Sequence, residues 1–211
     1  MLFVSFFGAF AQNTYLPRLK KQLDSLLRED QMYREMFAFG TYKTKEDSLC
    51  KVFNVAPSEL FKAINSRMIA ADTSNTRMIK YIISIHGYPG KSLVGDEASS
   101  VAWSVLQHSN RIADYLDIVK KAAKKDELEK KYASLMEDRV LMYAGKPQIY
   151  GTQGSYRKLS SGKSEMVVWP IKNPKGVNKR RKKMGFDTSV EENAKLMGIT
   201  YRVVSMEELG L

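Results

Sequence analysis

The chain reads LEKKYASLMEDRVLMYAGKPQIYGTQ over residues 128–153, and this stretch decides the predicted fold. Its apolar side chains recur at three- and four-residue steps as far as Tyr143, which is the spacing of one helix face. Arg139 falls in the middle of that apolar face. Because a guanidinium does not lose its proton, we expect Arg139 to meet a carboxylate, carbonyl groups or an anionic ligand. Asp138, at the edge of the same face, is one candidate partner.

The predicted helix ends at a glycine and a proline. Gly145 suits the residue after a helix C-terminus, and Pro147 prevents the helix from resuming. The following residues are therefore expected to be extended. They carry unusually many amide and hydroxyl groups for a strand: Gln148, Tyr150, Thr152 and Gln153.

The rest of the chain predicts a mainly α, single-domain fold. Its 211 residues, 44% of them hydrophobic, can bury one sizeable core. Amphipathic spacing predicts helices from residue 15 onward, with Asp72 capping a new helix and another beginning at Gly95. Two extended runs, residues 148–153 and 166–171, flank a loop rich in glycine and serine and predict a small antiparallel β-hairpin near the C-terminal third.

An apolar run occupies residues 1–11 and is too short to span a bilayer. Ala9 and Ala11 match the small residues that precede a signal-peptidase site at Gln12, although the usual positive charges are missing. We therefore expect residues 1–11 to be a truncated signal peptide and residues 12–211 to be the domain. The protein would be periplasmic or secreted, without a transmembrane span in the mature chain. A cytoplasmic protein whose apolar arm packs on the core is the alternative.

Positive charge is concentrated in one part of the chain, whose net charge is +11. Residues 145–184 hold eleven lysines and arginines against Glu165 alone, so they carry +10 of that charge. Such a block can attract a polyanion, or it can simply be a solvated surface. Aromatic residues are sparse around it, which argues against sequence-specific nucleic-acid recognition. The candidate polyanion-binding residues are Lys179, Arg180, Arg181, Lys182 and Lys183.

Polar side chains on apolar helix faces are the other candidate functional residues. Asn75 and His86 share the face of Ile79, and His108 lies in the last turn of the next helix. Buried polar groups form either a structural network or a ligand pocket, and the sequence leaves both open. If a reaction occurs, His108 is the candidate general acid or base. The candidate catalytic residues are His108, Arg139 and Asp138, and the candidate ligand-binding residues are Asn75, His86, Gln148, Tyr150, Thr152 and Gln153.

Several common sites are not predicted. The two histidines have no metal-binding spacing, and a third ligand would have to be Asp72, Asp96 or Asp138, so no metal site is expected. The Gly-Lys-Ser at residues 90–92 lacks the upstream glycine of a phosphate-binding loop. Cys50 is the only cysteine and cannot form an internal disulfide. No cofactor is assigned.

Several short motifs resemble a known bacterial family. They are Asp72-x-x-Asn75-Thr76, Gln107-His108-Ser109, Asp138-Arg139, Gln148-x-Tyr150-Gly151-Thr152-Gln153 and Trp169-Pro170-Ile171. With these motifs the chain resembles the family called domain of unknown function 6624, over roughly residues 19–185. The resemblance implies no activity, but its motifs coincide with the inward polar positions found from periodicity. One departure is Asn110, where the family usually carries an aspartate, so no carboxylate role is expected there.

The expected function follows from these two sets of residues. The first expectation is an exported bacterial domain with a polar, anion-accepting pocket around Arg139, His108 and residues 148–153. The alternative is an interaction module that binds a polyanion through the basic C-terminal region. Whether the domain is an enzyme is left open by the sequence.

Overall fold

The structure, a computed structural model, describes residues 15–37 and 41–211. The signal peptide expected over residues 1–11 lies outside the described residues. The predicted fold class is confirmed, because helices dominate and a two-stranded antiparallel hairpin lies in the C-terminal third. None of the described helices has the length and apolar character needed to cross a membrane.

The described residues form ten α-helices and two strands. Short 3₁₀ turns lie at Ile112–Tyr115, Pro174–Gly176 and Glu207–Leu209. The elements, in chain order, are α1 (Pro17–Met36), α2 (Thr41–Thr44), α3 (Glu46–Phe53), α4 (Pro57–His86), α5 (Lys91–Ala98), α6 (Val101–Leu106), α7 (Leu116–Lys124), α8 (Lys130–Tyr143), β1 (Gly154–Lys158), β2 (Ser164–Val168), α9 (Val177–Lys183) and α10 (Val190–Leu196).

The largest apolar cluster lies where α1, α4 and α6 meet. Leu23, Ile79 and Val105 are fully buried there, each on the inward face that the helical spacing predicts. A second apolar cluster joins Val168 of β2 to Val177 and to the last α-helix. The first cluster positions the site described below.

Helix α4 differs from the prediction, which placed a new helix at Asp72. It is one helix of 30 residues, and Asp72 lies in its interior. No glycine or proline lies between its first residue and its end at Gly87, so nothing in the backbone interrupts it. The Asp72 carboxylate accepts a hydrogen bond from Arg34 of α1 at 2.7 Å instead of capping a helix.

The helix expected from Gly95 is also divided differently. Gly95 has a left-handed φ of +81° and bends α5 within its own length, and α6 begins only at Val101. A glycine reaches that conformation without the steric cost of a side chain. Both α5 and α6 pack against α1.

The hairpin is shifted relative to the two runs that predicted it. Its register pairs Gly154 with Val168 and Lys158 with Ser164, so the predicted first run, residues 148–153, precedes the ladder. Within that run a single bridge joins Gln148 to Ile171. Four backbone amides of this run, those of Ile149, Tyr150, Thr152 and Gln153, hydrogen-bond to side chains, as described below, and are therefore not free to pair with a strand.

Candidate functional site

Four side chains from three parts of the fold meet beside the main core. Asp30 and Arg34 come from α1, Asp72 from α4, and His108 from the turn after α6. Nδ1 of His108 lies 3.0 Å from Oδ1 of Asp30, and Nη2 of Arg34 donates to Oδ1 of Asp72 at 2.7 Å. Arg34 also lies 3.4 Å from the Asp30 carboxylate and donates to the Asp30 carbonyl oxygen. We call these four residues the His108 cluster.

The Asp30 side chain is the most deeply buried member of the cluster, with no solvent exposure. A buried carboxylate costs several kcal/mol unless it is paired and hydrogen-bonded. Arg34, one helical turn away, and His108 contact one oxygen, and Gln31 donates to the other at 2.6 Å. The carboxylate therefore orients the imidazole of His108 through Nδ1 and leaves Nε2 for other partners.

A cleft of about 560 Å³ opens beside the cluster, between α4 and residues 108–115. Its lining includes Asp72 and His108 from the cluster, together with three cations, Arg77, Lys80 and Arg111. Among the described residues that line the cleft, Asp72 is the only carboxylate, and it is already paired with an arginine. Arg111 pairs with Asp114, but within the described part of the chain Arg77 and Lys80 take no part in an ion pair. The cleft therefore has an excess of positive charge.

Two polar side chains next to Asp72 on α4 lack hydrogen-bond partners. Asn75 is 1% exposed, as the sequence predicted for an inward position, and both of its side-chain amide atoms are unpaired among the described residues. The hydroxyl of Thr76, which lines the cleft, is also unpaired there. An unpaired buried polar group costs about 1–3 kcal/mol, so an ordered water or a ligand that bonds to these groups would stabilise the fold.

Arg139 lies next to the cluster but is bound by neutral groups. It donates to the side-chain oxygen of Gln153 at 3.1 Å and to that of Gln107, the neighbour of His108, at 3.0 Å. Burial lowers the pKa of the Arg139 guanidinium, and the positive charge of Arg34 acts in the same direction. Asp138 is not its partner, because the carboxylate of Asp138 is turned toward a loop.

Asp138 is fully buried and anchors residues 149–152. Its two oxygens accept hydrogen bonds from the amides of Ile149, Tyr150 and Thr152 and from the Thr152 hydroxyl, at 2.7–3.1 Å. Burial raises the pKa of Asp138, and these four donors oppose the shift. With its acceptor capacity occupied and no exposure, Asp138 anchors this loop, and its role as a catalytic candidate stays a prediction.

The side-chain amides of Gln148 and Gln153 also have hydrogen-bond partners, most of them within the same segment. Gln148 donates to the carbonyl oxygens of Gln153 and Trp169 and accepts from the Gln153 amide, all within 2.9 Å. Gln153 donates in turn to the Thr152 hydroxyl at 3.0 Å. Burial raises the pKa of the half-buried Tyr150. These candidate ligand-binding residues are hydrogen-bonded to one another and to the neighbouring backbone, and none of them lines the cleft beside His108. Their role in binding a ligand stays a prediction.

His86 lies apart from the cluster, contrary to the expectation that it points inward. It is exposed as the last residue of α4, fourteen residues after Asp72. At 1.5 Å per residue the separation along the helix axis is about 21 Å. The apolar spacing that predicted an inward His86 continues past Ile82, which is the last buried residue of the helix. The sequence pattern therefore extends beyond the part of α4 that packs against the core.

The basic segment of α9 divides into two kinds of residue. Arg181 is 1% exposed and donates to the carbonyl oxygens of Thr188 and Tyr150. Arg180 donates to the carbonyl oxygen of Ile149. Both arginines therefore hold the chain together, and Arg181 is too deeply buried to contact a polyanion. The exposed members are Lys179, Lys182 and Lys183.

Asp30 and Arg34 were missed by the sequence reasoning. The signal was present, because Asp30 lies four residues after Leu26 and three before Tyr33, on the apolar face of α1. A carboxylate at such a position needs a partner, as Arg139 did. Arg34, four residues later, was the obvious one.

The fold and site together define a helical domain with a buried carboxylate and histidine beside a basic cleft. The chain belongs to the family of unknown function DUF6624, whose model matches residues 48–205, and this confirms the resemblance seen in the sequence. No curated protein and no solved structure matches the chain. The matched range contains Asp72 and His108, whereas Asp30 and Arg34 precede it.

Proposed function

We propose that this domain binds a small anionic ligand in the cleft beside His108. The observation that carries the proposal concerns the described residues of the cleft, where Arg77 and Lys80 have no ion-pair partner and the one carboxylate, Asp72, is neutralised by Arg34. At the effective dielectric of a protein surface, one cation about 4 Å from a unit negative charge contributes about 4 kcal/mol of attraction before desolvation. The unpaired Thr76 hydroxyl adds a hydrogen-bond donor to the same lining.

His108 is the residue we propose as the acid or base. Its Nδ1 is oriented by the buried carboxylate of Asp30, which leaves Nε2 available to exchange a proton with a ligand in the cleft. An imidazole held in this way by a carboxylate is the arrangement that general acid–base catalysis uses. Arg139 helps to fix the position of His108, because it donates a hydrogen bond to Gln107, the residue next to His108.

The binding proposal is tested with inorganic phosphate and pyrophosphate, titrated by calorimetry in the presence of EDTA. Arg77→Gln and Lys80→Gln should each weaken binding about tenfold, as expected for losing about 1.4 kcal/mol of attraction. Arg67→Gln is the matched control, because Arg67 is exposed on the same helix and does not line the cleft. Equal affinities for all four proteins, or no binding by the wild type at millimolar anion, would refute the proposal.

The role of His108 is tested with a chromogenic phosphate monoester as the probe. His108→Gln should abolish turnover and retain phosphate binding within a few-fold, since the Arg77 and Lys80 charges are unchanged. His86→Gln, the only other histidine substitution that the chain allows, should leave both properties unchanged. Turnover that survives in His108→Gln would remove His108 as the acid or base.

Polyanion binding by α9 is the second candidate function. It is favoured by one observation, that Lys179, Lys182 and Lys183 are exposed and form no ion pair among the described residues. Replacing all three with glutamine should lower the salt concentration that elutes the protein from heparin. The matched control replaces three exposed lysines at the end of α7, Lys121, Lys124 and Lys125. The same shift in both variants would indicate only an effect of net charge.

Export remains part of the proposal, supported by the apolar residues 1–11 and by the spacing of Ala9 and Ala11. N-terminal sequencing of the protein purified from a bacterial periplasm should begin at Gln12. A chain that stays in the cytoplasm and keeps its first eleven residues would contradict it.

A further inference from the structure

The His108 cluster has the ligand types and the spacing of a divalent-cation site. One ligand atom from each of Asp30, Asp72 and His108 lies within 4.8 Å of the others. Two carboxylates and one imidazole, with no thiolate, suit Mn²⁺, Fe²⁺ or Zn²⁺, whose bonds to oxygen and nitrogen are about 2.0–2.2 Å long. We propose that a first-row divalent cation binds these three side chains.

A second observation points to the same place. Asn75 follows Asp72 by three residues on α4, so the two side chains share a helix face. Both amide atoms of Asn75 are buried and unpaired among the described residues, and the hydroxyl of Thr76 is unpaired as well. A water bound directly to a cation donates hydrogen bonds, and a water of the outer hydration shell can also accept one. A hydrated cation on the neighbouring carboxylates would therefore supply partners for these unpaired groups.

Arg34 is the cation that holds the two carboxylates together in this structure. It lies 2.7 Å from Asp72 and 3.4 Å from Asp30. With a neutral imidazole, the three charges of Asp30, Asp72 and Arg34 sum to −1. A divalent cation that takes the place of the guanidinium between the carboxylates neutralises both of them, and the displaced Arg34 stays nearby as a positive charge, so metal binding removes the net negative charge of the cluster.

The cleft connects the cluster to solvent, and a cation bound there would affect how His108 faces the cleft. Asp72 and His108 line the cleft, so a cation reaches the cluster from solvent without opening the core. Coordination through Nδ1 of His108, the nitrogen that faces Asp30, leaves the N–H of Nε2 to face a ligand. The inference concerns the cation alone and does not depend on the proposed anionic ligand.

The test uses the full-length chain stripped with EDTA and titrated with Mn²⁺ in a phosphate-free buffer. The electron paramagnetic resonance signal of free Mn²⁺ should reveal one site per chain, and saturation should raise the melting temperature. Asp72→Asn and His108→Gln should each weaken Mn²⁺ binding at least tenfold. The controls Asp117→Asn and His86→Gln change an exposed aspartate and the exposed histidine and should bind as the wild type does.

Arg34→Met provides the sharpest arm of the test. Removing the positive charge between the two carboxylates should tighten Mn²⁺ binding by about tenfold or more, the opposite of what the loss of a ligand does. If this variant fails to fold, the Asp72 and His108 variants decide. Wild-type protein that binds no Mn²⁺ at millimolar concentration, or Asp72→Asn that binds as tightly as Asp117→Asn, overturns the inference. Phosphate binding in EDTA that persists in that case would leave the proposed function standing.

Discussion

Two buried polar regions of this domain look alike in the sequence and differ in the structure. Around Asp138 and Gln148, the carboxylate and amide groups are matched with backbone donors and acceptors. Around Asp72, by contrast, Asn75 and Thr76 have groups with no partner in the described part of the chain, and a cleft gives Asp72 access from solvent. A buried polar residue is therefore not by itself a sign of a binding site. The combination of an unpaired group and an open cleft is a better one.

The largest effect should come from the matched region. Asp138→Ala leaves three backbone amides and one hydroxyl without their acceptor, and we expect a loss of about 3–5 kcal/mol in the free energy of unfolding. Urea denaturation measures it. Lys130→Ala, at an exposed position of the same helix, is the control and should change the free energy by less than about 0.5 kcal/mol. A comparable loss in both variants would contradict the conclusion that the hydrogen bonds to Asp138 stabilise the fold.

A smaller loss is expected for Arg139→Met. Its partners Gln107 and Gln153 are neutral, so the substitution removes charge-assisted hydrogen bonds and strands no buried charge, at a cost of about 2 kcal/mol in the same denaturation measurement. Phosphate affinity should stay within a few-fold, because Arg139 does not line the cleft. Unchanged stability with abolished binding would mean that Arg139 serves the ligand.

Asn75→Leu should change the free energy of unfolding in the opposite direction. Replacing an unpaired amide with an apolar side chain of similar size should raise the free energy of unfolding of the metal-free protein by about 1 kcal/mol, while weakening Mn²⁺ binding. Ser74→Ala, at the exposed preceding position, should do neither. Destabilisation by Asn75→Leu would show that the amide is already satisfied, and the contrast between the two regions would disappear.

The smallest effect is a pH dependence at the surface. Lys163 and Arg202 hold the pKa of Glu165 below its ordinary value of 4.5. A carboxyl whose folded-state pKa is depressed stabilises the fold above its unfolded pKa, and that contribution is lost as the pH falls through the folded value. Amide hydrogen exchange near Arg202 should therefore speed up below about pH 4.5 relative to neighbouring segments. Glu165→Gln should remove this pH dependence, and a variant that keeps it would contradict the assignment.

The sequence predicted what local periodicity and turn chemistry determine. Helix α8 ends where Gly145 adopts a left-handed φ of +64°, and the hairpin, though shifted, occurs after it. The prediction from sequence failed where contacts between distant parts of the chain determine the structure. Asp72 was predicted to cap a helix, but its carboxylate instead accepts a hydrogen bond from Arg34, thirty-eight residues earlier in the chain.

The candidate site was recovered only in part for the same reason. His108, Asn75 and the neighbourhood of Arg139 could be found from side chains on apolar faces, because those patterns are local. Asp30 shares that kind of position but was hidden among the polar residues of α1. Which of these groups is satisfied and which is left unpaired depends on contacts between helices distant in the sequence, such as Asp30 with His108. No local pattern carries that information.

The loop at residues 149–152 also has a consequence for how the molecule assembles. Its amide groups bind Asp138 of α8, only eleven to fourteen residues earlier, whereas its carbonyl groups bind Arg180 and Arg181, thirty-one residues later. Closing the longer chain segment loses more entropy before any contact is gained. The amide side of the loop should therefore order first during folding, and the carbonyl side should wait until α9 arrives. A chain still emerging from the ribosome would carry this loop half-formed until its last helices are made.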